Sequence, residues 1–331
     1  MVHKFISYLL KNQIILALSL FVCGWFILEI RSIIVSLFLS YIIMAALLPF
    51  VDYLRARKFP KLLAVFIPYI IIMIAIFFLI ILLVPFFLEQ IRSLFTNFPH
   101  YLNKSAAVLG FQLDPRQMQD YFTRQSNILG QNALTFTSKI FGSVFATITV
   151  LVVSFYLLMY NDDFKVWFAT MFHANDRQKV RETMQRVDDK LGNWLRGQIV
   201  LSICIGVMSW IGLMLIGMPF ALPLALIAGF LEIVPTLGPI LSAIPAVIVA
   251  LTISPTLAVG VLVLYILIQL TENHIIVPKI MQHAVGLNPV VIILGIMIGA
   301  NLMGLVGALL SIPFISFVIL LFRSINQESP K

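Results

Sequence analysis

The chain has 331 residues, 61% of them hydrophobic, with a mean hydropathy of +1.04, only 11% charged side chains and a net charge of +8. A soluble domain carries about 25% charged residues, so a water-soluble fold is excluded. A β-barrel is excluded as well, because its strands alternate polar and apolar and these runs do not. The positive balance is what the loops on the cytoplasmic side of a membrane protein carry. No basic-aromatic patch accompanies it, so no nucleic-acid partner is expected.

Residues 1–30 have a basic start and an apolar core without a small-residue cleavage site, which reads as a retained first helix. Apolar spans follow at 13–28, 33–51, 62–88, 140–160, 199–216 and 257–273, with a C-terminal region at 288–322. Several exceed the ~20 residues that cross a hydrocarbon core. The fold class is therefore all-α, a polytopic membrane protein with about seven spans or more and the lipid bilayer as its first partner. Cys23 and Cys204 both fall inside apolar runs, which speaks against a disulfide framework.

Two polar regions interrupt the spans. Residues 89–139, with Gly110 and Asp114-Pro115, read as a small domain of amphipathic helices. Residues 161–198 read as a charged helical segment. In it, Arg177–Lys190 is expected to be a solvated face, and Trp194 and Arg196 anchors at the membrane interface. With the N-terminus inside, sixteen Lys and Arg residues fall on the cytoplasmic side and six on the other. That asymmetry places both termini, the 161–198 segment and the 324–331 tail in the cytoplasm, and 89–139 outside.

The C-terminal half differs in kind. Glu232 is the only formal charge between Arg196 and Glu272, and it opens the run Glu232-Ile233-Val234-Pro235-Thr236-Leu237-Gly238-Pro239. A charge at the bilayer centre costs ~2.5–3.5 kcal/mol even on the lenient insertion scale. Broken helix frees backbone groups that lipid cannot satisfy. The apolar runs 222–234 and 239–252 flank this break, and each reaches only ~20 Å. A second interrupted pair, 288–300 and 304–322, surrounds the glycine-rich stretch Gly299 to Gly307.

Counting crossings brings the first hairpin, 221–252, in from the outer side and the second, 288–323, from the inner side. Segments 199–252 and 257–323 thus form a weak inverted repeat, with Pro223 and Pro245 in one and Pro289 and Pro313 in the other. Paired interrupted segments of this kind are the sequence pointer to a transporter binding site.

At the first break, Val234 precedes proline and leaves α conformation, which stops the incoming helix near Ile233. Pro239 suits the first position of the next helix. The tip then offers the N–H groups of Ile240 and Leu241, the hydroxyls of Thr236 and Ser242, and the Glu232 carboxyl. The expected substrate-binding residues are Glu232, Pro235, Thr236, Gly238 and Pro239, facing Asn301 and Gly304 of the second break. Glu232, Glu272 and Asn273 are the candidates for coupling or gating. Glu272 could instead hold its loop by pairing with Lys279. His274 and His283 lack metal-ligand spacing, and no phosphate-binding loop or nucleophile motif occurs, so no metal, cofactor or catalytic residue is expected.

These residues also carry a resemblance. Leu195-Arg196-Gly197-Gln198, Glu232 to Pro239 continuing through Ile244-Pro245-Ala246, Glu272-Asn273 with Pro278-Lys279-Ile280-Met281, Asn288-Pro289, and the Gly299, Gly304 and Gly307 run follow in order over roughly residues 190–320. In this the chain resembles the bacterial autoinducer-2 exporter family of membrane permeases. Thr236 stands where the family often has an aromatic residue, and Asn288 where histidine is common. The resemblance implies an inner-membrane permease exporting a small polar signalling molecule, assembled as a homo-oligomer. Some relatives are described as sodium- or lithium-proton antiporters, so a proton or sodium ion is an expected partner.

The reading from sequence is a non-enzymatic transporter, its spans up to residue 160 forming a scaffold and 199–323 a transport unit moving by alternating access. The alternatives are a sodium (lithium)/proton antiporter, with Glu232 and Glu272 as the exchanging groups, and a non-transporting scaffold whose 89–139 domain binds a partner.

Overall fold

The computed structural model describes residues 28–78, 133–233, 237–281 and 289–326, together with residues 18, 21, 22 and 24–26. The 89–139 domain lies outside the described residues except for the first turns of one helix, as do Val234, Pro235 and Thr236. All described regular structure is helical. Among the described residues, five helices are long and apolar enough to cross a membrane, or six if one bent pair counts as a span.

Helices α1 (Arg31–Ala56) and α2 (Lys61–Phe78) pack with α3 (Ala133–Met159) around Met44, Val51, Val65, Tyr69 and Leu158. At Tyr160 the chain bends by 70° into the short helix α4 (Asn161–Thr170). Helix α5 (Arg177–Leu215) then runs for 39 residues. The sequence separates a charged segment ending at 198 from a span starting at 199. The structure continues one helix through both, because nothing between Arg177 and Leu215 breaks the backbone hydrogen-bond ladder. Trp194 is not an interface anchor either: it is buried against the core.

Gly217 and Phe220, both with positive φ, turn the chain into α6 (Ala221–Leu231). After the break, α7 (Leu237–Ile253) leads to α8 (Pro255–Thr271), whose start is capped by the Ser254 hydroxyl accepting from the Leu257 N–H at 3.1 Å. Beyond Thr271 the helix widens into one π-helical stretch, Glu272–Ile276, before α9 (Val277–Met281).

The last element, α10 (Pro289–Asn326), is two helices in one. Met303 and Gly304 have non-helical backbone, and Gly304 sits at φ 62°, ψ −142°, a conformation open essentially to glycine. Residues 299 and 307 of a straight helix lie ~12 Å apart. Here a Cβ on either Gly299 or Gly307 would run into the other's carbonyl, and a Cβ on Gly295 would lie 3.7 Å from Ser311 Cβ. The arms on either side of residue 303 therefore lie back to back, which makes α10 a helical hairpin. Its described contacts are chiefly with α5.

Candidate functional site

Helix α5 organises the site, and Gly192, Asn193, Arg196 and Gln198 in its middle each have a structural reason. Pro49 inside α1 has no N–H to donate to the carbonyl of Ala45, four residues earlier. Arg196 supplies the missing donor: its Nη1 reaches the Ala45 and Ala46 carbonyls at 3.3 and 2.9 Å, while Nη2 is held by Asn193 Oδ1 at 2.7 Å. Gly192 permits this approach, since its missing Cβ would collide with the Ala45 carbonyl.

Arg196→Met is expected to cost about 1–3 kcal/mol by orphaning a buried carbonyl. Pro49→Ala, which restores the backbone donor, should recover about half of that. A double-mutant cycle read by thermal unfolding checks it, and additive effects would contradict the account.

Two residues further along, Gln198 does the same for the first hairpin. Its Nε2 donates to the Glu232 carbonyl at 2.6 Å, one of the end-of-helix carbonyls that α6 leaves unpaired. Gly206 of α5 and Gly229 of α6 cross closely, with the ideal Cβ of Gly229 only 2.9 Å from the Ser202 carbonyl. The hairpin turn is equally tight. A Cβ on Gly238 would lie 2.6 Å from Glu232 Cα and 2.6 Å from the Leu231 carbonyl, so only glycine lets α7 start against the end of α6. Pro239 is the third residue of α7 rather than the first. It still falls within the opening turn, where no helical N–H is required. Ser242 is not offered to a ligand; it is fully buried and donates to the Pro239 carbonyl at 3.1 Å.

The Glu232 side chain is 0% exposed, and Glu272, from the π-helical stretch, is 1% exposed and faces it within hydrogen-bonding range. Gln269 Nε2 donates to Glu272 Oε2 at 3.3 Å. Tyr265 brings its hydroxyl beside Ser242 on the same side of α8. As a carboxylate, Glu232 has no donor from the protein among the described residues. Two carboxylates at about 4 Å repel by about 4 kcal/mol even at an effective dielectric of 20. Their contact becomes favourable when a proton or a cation lies between them, since a carboxylate alone only accepts.

Glu272 continues the buried stripe of α8, after Ala258, Val261, Tyr265 and Ile268, at ordinary helical spacing, and the π-helical bulge begins at its carbonyl. Such bulges are frequent at functional sites. Glu272 therefore does not pair with Lys279, which is exposed. Asn273, one residue on, is exposed, and so are Asn301 and Gly304 at the second turn. Among the described residues no hydrogen bond joins Asn301 to the glutamate pair. Pro235 and Thr236 lie outside the described residues, so the geometry of the tip rests on Glu232, Gly238 and Pro239. No group of three His, Cys, Asp or Glu side chains gathers among the described residues.

A second buried polar cluster went unread in the sequence. Asp188, 1% exposed, accepts from the Tyr41 hydroxyl of α1 through one oxygen and is paired with Lys165 of α4 through the other. Lys165 also donates to Gln185 Oε1 at 2.8 Å. The run Arg177–Lys190 is thus a solvated face with one charged side chain, Asp188, turned into the protein beside Val187. The partners lie in other helices, and no local spacing announces them.

Spanning helices, helical hairpins broken at membrane-depth sequence, and buried carboxyls on the broken backbone define a polytopic membrane transporter. The family described as AI-2E family transporter matches residues 14–327, and the chain belongs to it. It is 28% identical to the Bacillus subtilis protein named "Putative transport protein YrrI", over 87% of this chain and 85% of that protein. To the AI-2 transport protein TqsA of Escherichia coli it is 28% identical, over 85% of this chain and 83% of the relative.

Proposed function

We propose that the protein exports a small polar solute, of the kind TqsA is named for, across the bacterial cytoplasmic membrane by alternating access. Both termini face the cytoplasm in this reading. The helices before residue 160 are the static part, and 199–323 is the moving part. The solute meets Glu232, Gly238 and Pro239 together with Pro235 and Thr236 at the first tip, with Asn301 and Gly304 contributed by the second. The carrying observation is the Glu232–Glu272 pair, two buried carboxyls on different elements beside a helix break. Keeping such groups dry costs stability, and intramembrane ionisable residues mark solute or ion pathways by default.

The same pair favours a second reading, sodium- or lithium-proton antiport, in which it exchanges a proton for the cation. Proteoliposomes separate the two. In the export reading, purified protein accelerates efflux of loaded autoinducer-2, and Glu232→Gln, which keeps the side chain's shape, lowers that efflux at least tenfold. In the antiport reading, an imposed sodium or lithium gradient changes internal pH with wild type and not with Glu232→Gln. Efflux and pH change both unaltered by Glu232→Gln would overturn the assignment of this site.

A further inference from the structure

The short helix α4 meets α3 at 70° and has a different character on each of three sides. One side packs on the protein: Asn161 and Ala169 are buried, and Lys165 between them pairs with Asp188 of α5. A second side is exposed and mostly polar, with Asp162 and Asp163 in the first turn, Thr170 in the last and Val166 between them. The third is apolar and bare. Phe164, Trp167 and Met171 follow at three- and four-residue spacing, and Trp167 and Met171 are 56% and 60% exposed. An apolar face left open in this way marks a contact surface.

The neighbouring helices say what covers it. On α3 an exposed apolar stripe runs through Val152 and Tyr156, passes Tyr160 at the bend, and continues at the same spacing into Phe164, Trp167 and Met171. Helix α3 packs along α1 and α2, both long and apolar enough to span, so its outward stripe faces lipid. Ten residues of helix reach only ~15 Å, so α4 cannot cross the bilayer itself. Arg55, in the last turn of α1, reaches Asp162 at 3.7 Å, which sets the start of α4 at the level where α1 leaves the membrane. Tyr156, Tyr160 and Trp167 are the residue types that gather at that level. A water-soluble partner on α4 would give the stripe no reason to run on along α3.

We infer that α4 is a membrane-surface helix, lying along the headgroup layer of the leaflet in which α1 and α3 end. Phe164, Trp167 and Met171 insert toward the acyl chains, and Asp162, Asp163 and Thr170 stay in water. Helices of this kind bury their apolar side by about 5–10 Å. The partner is the phospholipid itself. The exposed charges beside the inserted face, Arg55, Asp162 and Asp163, are of both signs, so no one headgroup charge is demanded. Lys165 ties this anchored helix to α5 through Asp188 and Gln185, which makes α4 the link between the bilayer surface and the helix that organises the glutamate site. The inference stands apart from the transport reading, since it concerns only where α4 lies.

The test uses the full chain, free of its native cysteines, in nanodiscs of phosphatidylcholine and phosphatidylglycerol. Asp163→Cys, Trp167→Cys, Thr170→Cys and Met171→Cys each receive a nitroxide spin label; all four positions are exposed, so no packed side chain is displaced. Paramagnetic relaxation then compares collisions with oxygen, which concentrates in lipid, and with a nickel chelate, which stays in water. Trp167→Cys and Met171→Cys are expected to favour oxygen by at least about threefold, at the shallow depth of a surface helix. Asp163→Cys and Thr170→Cys should favour the nickel chelate. Nickel contact at all four positions would put α4 in water and overturn the inference. So would few collisions with either reagent at 167 and 171, which would show a second copy or another protein covering the face. Oxygen contact at all four would sink α4 into the bilayer core and overturn it equally.

Discussion

Replacing Asp188 with alanine is expected to lower the unfolding free energy of the purified protein by about 3–5 kcal/mol, the cost of stranding one half of a buried ion pair. The pair joins three helices: Tyr41 belongs to α1, Lys165 to α4 and Asp188 to α5. Lys165→Met alone should cost a similar amount, since it leaves Asp188 with Tyr41 as its described partner. The double variant Asp188→Leu/Lys165→Met should lie far closer to wild type, because replacing both partners by apolar groups of similar volume is often neutral. Chemical or thermal unfolding in detergent gives the comparison. A double variant as unstable as the sum of the singles would mean that the cluster is not a coupled pair. The exposed Arg55–Asp162 bridge at 3.7 Å serves as the control, since breaking a surface pair costs at most about 1 kcal/mol.

The second large effect is expected at the back-to-back glycines of α10. With the two native cysteines replaced, Gly295→Cys and Ser311→Cys should form an intramolecular disulfide in high yield. Their Cβ positions are 3.7 Å apart, within the usual range for such a bond. In an unbroken helix these positions would be ~24 Å apart and could not be joined. Adding Gly299→Val should reduce the yield severalfold, because the valine Cβ would enter the space of the Gly307 carbonyl and wedge the arms apart. The obstacle is backbone rather than a flexible side chain, so the cost should exceed about 3 kcal/mol, the upper end for ordinary overpacking. Failure of the cysteine pair to cross-link would show the arms to be continuous.

Much of this architecture can be read from residues alone, and the reasons are local. Two prolines and a glycine around Thr236, and glycines at 299, 304 and 307, interrupt apolar runs of which only 304–322 is long enough to cross a bilayer singly, which is why the hairpins are visible in the sequence. Glu232 stands out because nothing else within 35 residues on either side is charged. Glu272 sits on the buried stripe of α8 by ordinary spacing after Tyr265 and Ile268. Its pairing with Glu232 is not legible, since that partner lies forty residues away and the stretch itself reads as a polar helix end. Arg196 resembles an interface anchor because its acceptors, Ala45 and Ala46, are about 150 residues away, and Ala45 owes its vacancy to Pro49. Asp188 hides in a charged run for a similar reason. Long-range partners, rather than local propensity, decide what these side chains do.

The widened turn at Glu272–Ile276 carries a mechanical implication. It amounts to a one-residue surplus in the register of the helix, and a single residue corresponds to about 100° of rotation about the axis. Moving that surplus by a turn toward Tyr265 would swing Glu272 off Glu232 and bring a different side chain to the same spot, with no change in the length of the loops. Contact between the two acids and the place of the surplus are thereby geared together, so that parting the pair and shifting the widened turn become two readings of one dial, while Val277–Met281 keeps its orientation.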